Sequence, residues 1–230
     1  MTPALNGSPT SRVAIVTGGT RGVGGATAHR LAGYGYAVVV NYLHDQRAAE
    51  LTVEAILADH GDAMAVRADV ADDLDVQRLF AETITAFGGV DAVVHTAGRH
   101  STVTPVTEAG LDEFDALLRL NARATFVVNQ QAVRHLRDGG AIVNLSSSAE
   151  DSSLRTRGLY AATKAITTVL TQALALELRE RGITVNAVSP AARRPCLPGR
   201  ITDIIAYLLS DHGHHLTGQI LEIGEAELRP

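Results

Sequence analysis

Short apolar, β-branched runs recur along this 230-residue chain, and most are followed by a stretch with helical spacing. The runs cover residues 13–17, 37–41, 63–67, 92–95, 141–145, 184–188 and 219–223. Helical periods fill 22–33, 45–60, 74–87, 111–136 (broken or bent), 160–181 and 201–209. Strand–helix–strand alternation forces the strands to run parallel, because each return passes through a helix on a face of the sheet. A run such as Ala-Val-Val-Val at 37–40 is apolar throughout, which suits a strand covered on both sides. The expected fold is therefore α/β: one doubly wound domain with a seven-stranded parallel sheet and helices on both faces. Gly61, Gly88-Gly89, Gly139-Gly140 and Gly182 follow helical periods and can take the left-handed conformation that ends a helix. Residues 1–11 read as a flexible leader, 12–225 as the domain, and 226–230 as a polar tail.

Composition narrows the function. Apolar residues at 46% can fill a sizeable core, and 20% charged residues argue against disorder. A net charge of −5 lacks the footprint of a general nucleic-acid binder. No apolar run approaches a membrane span, so no membrane partner is expected. Cys196 is the only cysteine and cannot form an internal disulfide, which fits a reducing, cytoplasmic setting. His212, His214 and His215 lie close together, but no further ligand is in sequence range, and no metal is expected.

The first strand runs into Thr17-Gly18-Gly19-Thr20-Arg21-Gly22-Val23-Gly24 and then a helix. Glycines let backbone approach a pyrophosphate, and a helix N-terminus offers free N–H groups to it. The spacing is not the common G-x-G-x-x-G, and no Gly-Lys-Ser/Thr of a nucleotide hydrolase follows. The loop is read as a dinucleotide cradle formed by Gly18, Thr20, Arg21, Gly22, Val23 and Gly24. A site selecting NAD carries an acid after the second strand, for the ribose 2′-hydroxyl. Here Asn41-Tyr42 stand there, with no acid before Asp45, while Arg21 can clamp a 2′-phosphate. Both features point to NADPH/NADP+.

Tyr160 and Lys164 are four apart at the start of a helical period and so share a face. A neighbouring ammonium favours the phenolate and makes the tyrosine a usable general acid. Upstream, Asn144-Leu145-Ser146-Ser147-Ser148 closes the fifth strand, where α/β sheets place ligand-binding groups. A serine hydroxyl there can hydrogen-bond a substrate carbonyl; Ser148 reads as a turn or cap residue.

These motifs occur in one order: TGGTRGVG, ADV at 68–70, HTAG at 95–98, Asn121, NLSS, YAATK, and 186–190. In this the chain resembles the short-chain dehydrogenase/reductase family, nearest its 3-oxoacyl-[acyl-carrier-protein] reductase-like branch, over residues 12–223. The resemblance implies a Rossmann sheet ordered 3-2-1-4-5-6-7 and hydride transfer between nicotinamide and a carbonyl or alcohol. It implies Tyr160 as proton donor, Lys164 as the group that lowers its pKa and binds the nicotinamide ribose, and Ser147 as the group polarising the carbonyl. Asn121 would hold a water linking Lys164 to solvent. Asp69 and Val70 would contact adenine, Ala97-Gly98 would let the cofactor pass over the fourth strand, and Pro190 would border it. The motifs also depart from the family pattern. His95-Thr96 replace Asn-Asn, and the lone His95 reads as structural; Ala191 follows Pro190 in place of glycine. The helical lid expected after the sixth strand is reduced to 191–199.

The expected activity is NADPH-dependent reduction of a ketone, 3-oxoacyl or polyketide-like and small or carrier-bound, to an alcohol. The alternative, favoured by the short lid, is an NADP(H)-binding protein with little turnover. The helix after Tyr160 carries no charge from 165 to 176, and 124–133 is similar. Helices uncharged all round are covered on two sides, so a homo-oligomer, tetramer or dimer, is expected.

Overall fold

The computed structural model describes residues 11–99, 104–147, 151–190 and 198–224, with backbone alone at 151–155. The expected leader up to residue 10, Ser148, Cys196 and the polar tail lie outside the described residues. Seven strands form one all-parallel sheet: β1 (Val13–Thr17), β2 (Ala37–Tyr42), β3 (Asp62–Arg67), β4 (Val90–His95), β5 (Leu136–Leu145), β6 (Thr184–Pro190) and β7 (Ile220–Ile223). Their order is β3-β2-β1-β4-β5-β6-β7. Every residue of β1 is buried, the apolar Val13–Val16 in the core and Thr17 with its hydroxyl bonded to His95.

The two faces of the sheet carry separate cores. Ala14, Val16, Val38, Val40 and Val94 pack beneath α1 (Gly22–Gly33), α2 (Gln46–Ala58) and α7 (Pro198–Leu208). Ile15, Val39, Val93, Ile142 and Val185 pack beneath α3 (Asp73–Phe87), α5 (Ala124–His135) and α6 (Asp151–Glu177). Among the described residues no helix is long and apolar enough to cross a membrane.

Helix ends mostly follow the sequence. Asp45 and Asp72 cap α2 and α3, each accepting a backbone N–H three residues on. Gly88 ends α3 in the left-handed conformation at φ 81°. After α2, however, His60 takes that conformation at φ 61° and Gly61 does not. Gly61 is needed for space instead: a Cβ there would meet the Ile56 side chain at 2.8 Å.

The long period at 111–136 is broken, and the break has a defined form. Helix α4 (Leu111–Leu117) continues into a π-helical turn at Leu118–Arg123, and only then into α5. Asn121 lies inside that wide turn and is fully buried. Helix α6 begins at Asp151, nine residues before Tyr160, and is kinked at Arg157 (φ −133°, ψ 22°). Glycine weakens a helix, and Gly158 follows the kink.

Candidate active site

The order of strands reverses between β2-β1 and β4-β5, so a crevice opens beyond the carboxyl ends of β1 and β4. Three hydrogen bonds lock those two ends together. The Thr17 hydroxyl meets His95 Nδ1 at 2.8 Å, Thr96 Oγ1 donates to the Thr17 carbonyl at 2.6 Å, and the Ala97 N–H reaches Thr17 Oγ1 at 3.3 Å. His95 is buried, and desolvation followed by the Lys164 charge pushes its pKa down to about 3. It is a neutral brace under the crevice.

The glycine loop is shaped for close approach. Gly18 sits at φ 63°, and a Cβ there would lie 3.1 Å from the Ala97 Cα. A Cβ at Gly24 would run into the Gly18 carbonyl oxygen. Gly22, at φ 57°, faces open space. Helix α1 starts there with no side-chain cap and no acid in its first turn, so its N–H groups are free for an anion. Arg21 is exposed at the same rim. These features fit a dinucleotide pyrophosphate.

Asn41 is placed differently from a ribose contact. It is buried, with Oδ1 accepting from Gly18 N at 3.4 Å and Nδ2 donating to the Ala68 carbonyl at 3.0 Å. Its amide braces the phosphate loop against the end of β3. Asp69 is held ionised: burial works against it, but the Arg119 guanidinium at 2.6 Å and the Ala71 N–H outweigh that. The Val70 side chain belongs to the core.

The catalytic candidates converge on the other side of the crevice. Tyr160 hydrogen-bonds to Ser147. Lys164 is buried, and its Nζ donates to the Leu145 carbonyl at 2.9 Å. A Cβ at Gly98 would lie 3.3 Å from that Nζ and 3.2 Å from Asn121 Oδ1, so Gly98 forms the floor between them. Asn121 Oδ1 accepts the Arg99 N–H at 2.8 Å, and its Nδ2 donates to the Arg99 carbonyl at 3.0 Å and to Thr163 Oγ1 at 3.1 Å. The Asn121 carbonyl accepts the Thr125 hydroxyl at 2.6 Å. Asn121 thus clamps the segment leaving β4 onto α6, where the expected role was to hold a water. Thr163, the partner in this clamp, had no sequence signal beyond its place between Tyr160 and Lys164.

The electrostatics also differ from expectation. Burial raises the Tyr160 phenol above its usual range, and the opposing pulls come from the Ser147 hydroxyl and the Arg157 charge. Lys164 was expected to supply that pull. Its ammonium instead bonds the Leu145 carbonyl, and burial lowers its own pKa to about 8.

Pro190 ends β6, and only residues 191–197, outside the described residues, separate it from α7. Among the described residues no group of three His, Cys, Asp or Glu side chains is arranged to hold a metal ion.

A family model described as short chain dehydrogenase matches residues 12–196. Versicolorin reductase 1 of Aspergillus parasiticus is 40% identical over 187 residues, covering 79% of this chain and 69% of that protein. A hydroxynaphthalene reductase-like protein of Metarhizium robertsii is 39% identical over 184 residues, covering 80% and 68%. A short chain dehydrogenase from Burkholderia cenocepacia, solved in complex with NADP, superposes with a TM-score of 0.86 at 33% identity, covering 93% of this chain and 96% of that one.

Proposed function

This chain belongs to the short-chain dehydrogenase family and is an oxidoreductase; on that premise we propose that it reduces a ketone to an alcohol with NADPH. The observation that carries the reading is the hydrogen bond between Tyr160 and Ser147 beside buried Lys164. Ser147 holds and polarises the carbonyl oxygen, and the Tyr160 hydroxyl donates its proton to that oxygen. When bound, the nicotinamide supplies the hydride that reaches the carbonyl carbon. Lys164 holds the ribose hydroxyls, and Asn121 keeps the floor of the site in register with α6. Reduction, rather than oxidation, is supported by the reductase names of two relatives. Those names, for versicolorin and hydroxynaphthalene, favour a ring-borne ketone over a 3-oxoacyl thioester. The single cysteine supports a cytoplasmic setting. The short 191–197 connection favours a second reading, a nucleotide binder with little turnover, because a lid excludes water and completes a substrate site.

Following NADPH absorbance over a panel of aryl and cyclic ketones tests the proposal. Turnover above background supports it, whereas tight NADPH binding with no turnover selects the second reading. The same titrations measure cofactor choice. Arg21 is exposed at the loop, and no acid precedes Asp45 after β2. A charge-assisted contact with the 2′-phosphate is worth about 1.5–3 kcal/mol, so NADPH is expected to bind roughly ten- to hundredfold tighter than NADH. Arg21→Ala should remove most of that ratio; equal affinities in the parent protein would refute the assignment.

The assembly is proposed from α5 and α6. Phe126 is 49% exposed, Val169 64% and Leu176 68%, and a groove of about 220 Å³ runs between the two helices past Leu170 and Leu174. Pairing of this face with a second copy covers it, giving a dimer or, with another contact, a tetramer. Leu170→Glu is expected to halve the mass seen by light scattering, and a monomeric parent protein would defeat the proposal.

A further inference from the structure

The apolar sheet face beneath α5 and α6 gives way to polar side chains at the end of β5. Ile142 of β5 packs into that core, and strand alternation puts Asn144 on the same face two residues on. Asn144 is fully buried, where an amide is tolerated only with its hydrogen bonds made. It makes them to two helices. With Asn129 of α5 it forms a reciprocal amide pair at 3.0 and 3.2 Å, and its Nδ2 also donates to Thr171 Oγ1 of α6 at 3.1 Å. Asn129 in turn donates to the Thr125 carbonyl at 2.7 Å. The Thr125 hydroxyl donates to the Asn121 carbonyl, and the Asn121 amide donates to Thr163, two turns before Thr171 on α6. A polar belt, closed through α6, therefore joins α5, β5 and α6, and each of these six residues is at most 1% exposed.

The belt runs directly into the reacting groups. From Asn144 onward, successive residues of β5 each meet α6. Asn144 meets Thr171, and the Leu145 carbonyl accepts the Lys164 ammonium at 2.9 Å. The Ser146 hydroxyl lies 3.4 Å from that of Thr168, and Ser147 bonds Tyr160. Residues 160, 164, 168 and 171 form one stripe at helical spacing. A slip of α6 along β5 breaks all four contacts together, so each fixes the others. Asn144 is the rung that a third element also holds, because Asn129 on α5 grips the same amide. We infer that Asn144 is a positioning residue, which through Thr171 and Asn129 sets the register of β5 against α6 and so brings Ser147 and Tyr160 together. Displacing a reacting group by about 1 Å can cost about 10²-fold in rate, which gives a buried amide this far from the chemistry its leverage. The inference deepens the reductase reading above and rests on it for the roles of Ser147 and Tyr160.

Thr171→Val removes one hydroxyl at nearly constant shape and tests the register. Its kcat for ketone reduction is expected to fall roughly 10- to 10²-fold, with NADPH affinity changed by less than about twofold. Thr171→Ser keeps the hydroxyl and should recover most of the rate. Crystal structures of the parent and of Thr171→Val should show the separation of Ser147 Oγ and Tyr160 Oη widened in the variant. Thr83→Val is the control. That hydroxyl is as deeply buried, on α3, where it donates to the Leu79 carbonyl at 2.7 Å, and its loss should leave kcat unchanged. A second belt variant combines Asn129→Leu, Asn144→Leu and Thr171→Val. It removes the three partners together, so none is left unpaired, and it is expected to melt near the parent yet stay slow. Full kcat in both belt variants overturns the inference, as does a slow variant whose Ser147–Tyr160 separation is unchanged. If the parent reduces no ketone, the separation still decides: widening in Thr171→Val keeps the positioning role and sinks the reductase reading, and no change sinks both.

Discussion

Tyr160→Phe is expected to lower kcat by roughly 10²- to 10⁴-fold, the range for loss of a positioned proton donor, while NADPH binding changes little. The ring is buried, so a phenylalanine fills the same space and only the hydroxyl is lost. That hydroxyl is hydrogen-bonded to Ser147, and burial raises its pKa above the usual phenol range. A protonated phenol is the form a reductase needs, because the step donates a proton to the nascent alkoxide. Pre-steady-state mixing of enzyme, NADPH and ketone separates the hydride step from cofactor binding. Full activity in the variant would remove the Tyr160 hydroxyl from the chemistry.

Lys164→Met is expected to move activity and stability in opposite directions. Turnover should fall by at least about 10²-fold, since the ammonium proposed to meet the ribose hydroxyls is lost. Stability should rise. Lys164 is only 5% exposed, and burial brings its pKa from 10.5 to about 8. At neutral pH the folded protein holds a charge that burial opposes, at a cost of about 3 kcal/mol on the scale of 1.36 kcal/mol per pKa unit. The Leu145 carbonyl bond offsets part of this, so a gain of about 1–3 kcal/mol is expected, or roughly 2–10 °C in Tm. The pH dependence fixes the sign. The unfolded chain keeps the lysine proton up to about pH 10.5, and the folded chain releases it near 8. Between those values the unfolded state binds more protons, so the parent protein gains stability as pH rises. The advantage of Lys164→Met is therefore largest below pH 8 and shrinks towards pH 10.5. Melting curves of both proteins from pH 6 to 10 measure it, and a Tm difference that does not change with pH would refute the buried-charge explanation.

The parallel strands were legible because a buried parallel strand is apolar over most of its length, while their order followed only from the family resemblance. Val13–Thr17 and Ala37–Tyr42 announce themselves in this way. The glycine loop was equally legible, since few other residues fit where Gly18 and Gly24 pass other backbone. What the sequence hid depends on packing between distant segments. The start of α6 at Asp151 lies in a polar stretch with no apolar period. The brace role of Asn41 requires knowing that the Gly18 N–H and the Ala68 carbonyl meet there. The Tyr160–Lys164 spacing was correctly read as one helical face, but sharing a face did not fix where the ammonium points, and the Leu145 carbonyl holds it. The kink at Arg157 gave no signal at all, because it lies inside a stretch with no apolar period.

The wide turn at Leu118–Arg123 changes how this chain tolerates insertion and deletion. An α-helix advances about 100° per residue, so the extra residue in a π turn resets the angular phase between α4 and α5. Upstream of it, Leu117 is turned to the core; downstream, Val127, Val128 and Ala132 are turned to the sheet. Both faces are satisfied only while the surplus residue is kept. Losing one residue here would leave a more regular helix with α5 rotated by about a quarter-turn, its apolar stripe sliding off the sheet and Asn121 carried away from Arg99. A helix is usually the safest place to expect uninterrupted alignment between relatives. In this rod the defect itself sets the fit, and a one-residue deletion should cost the site more than many substitutions around it.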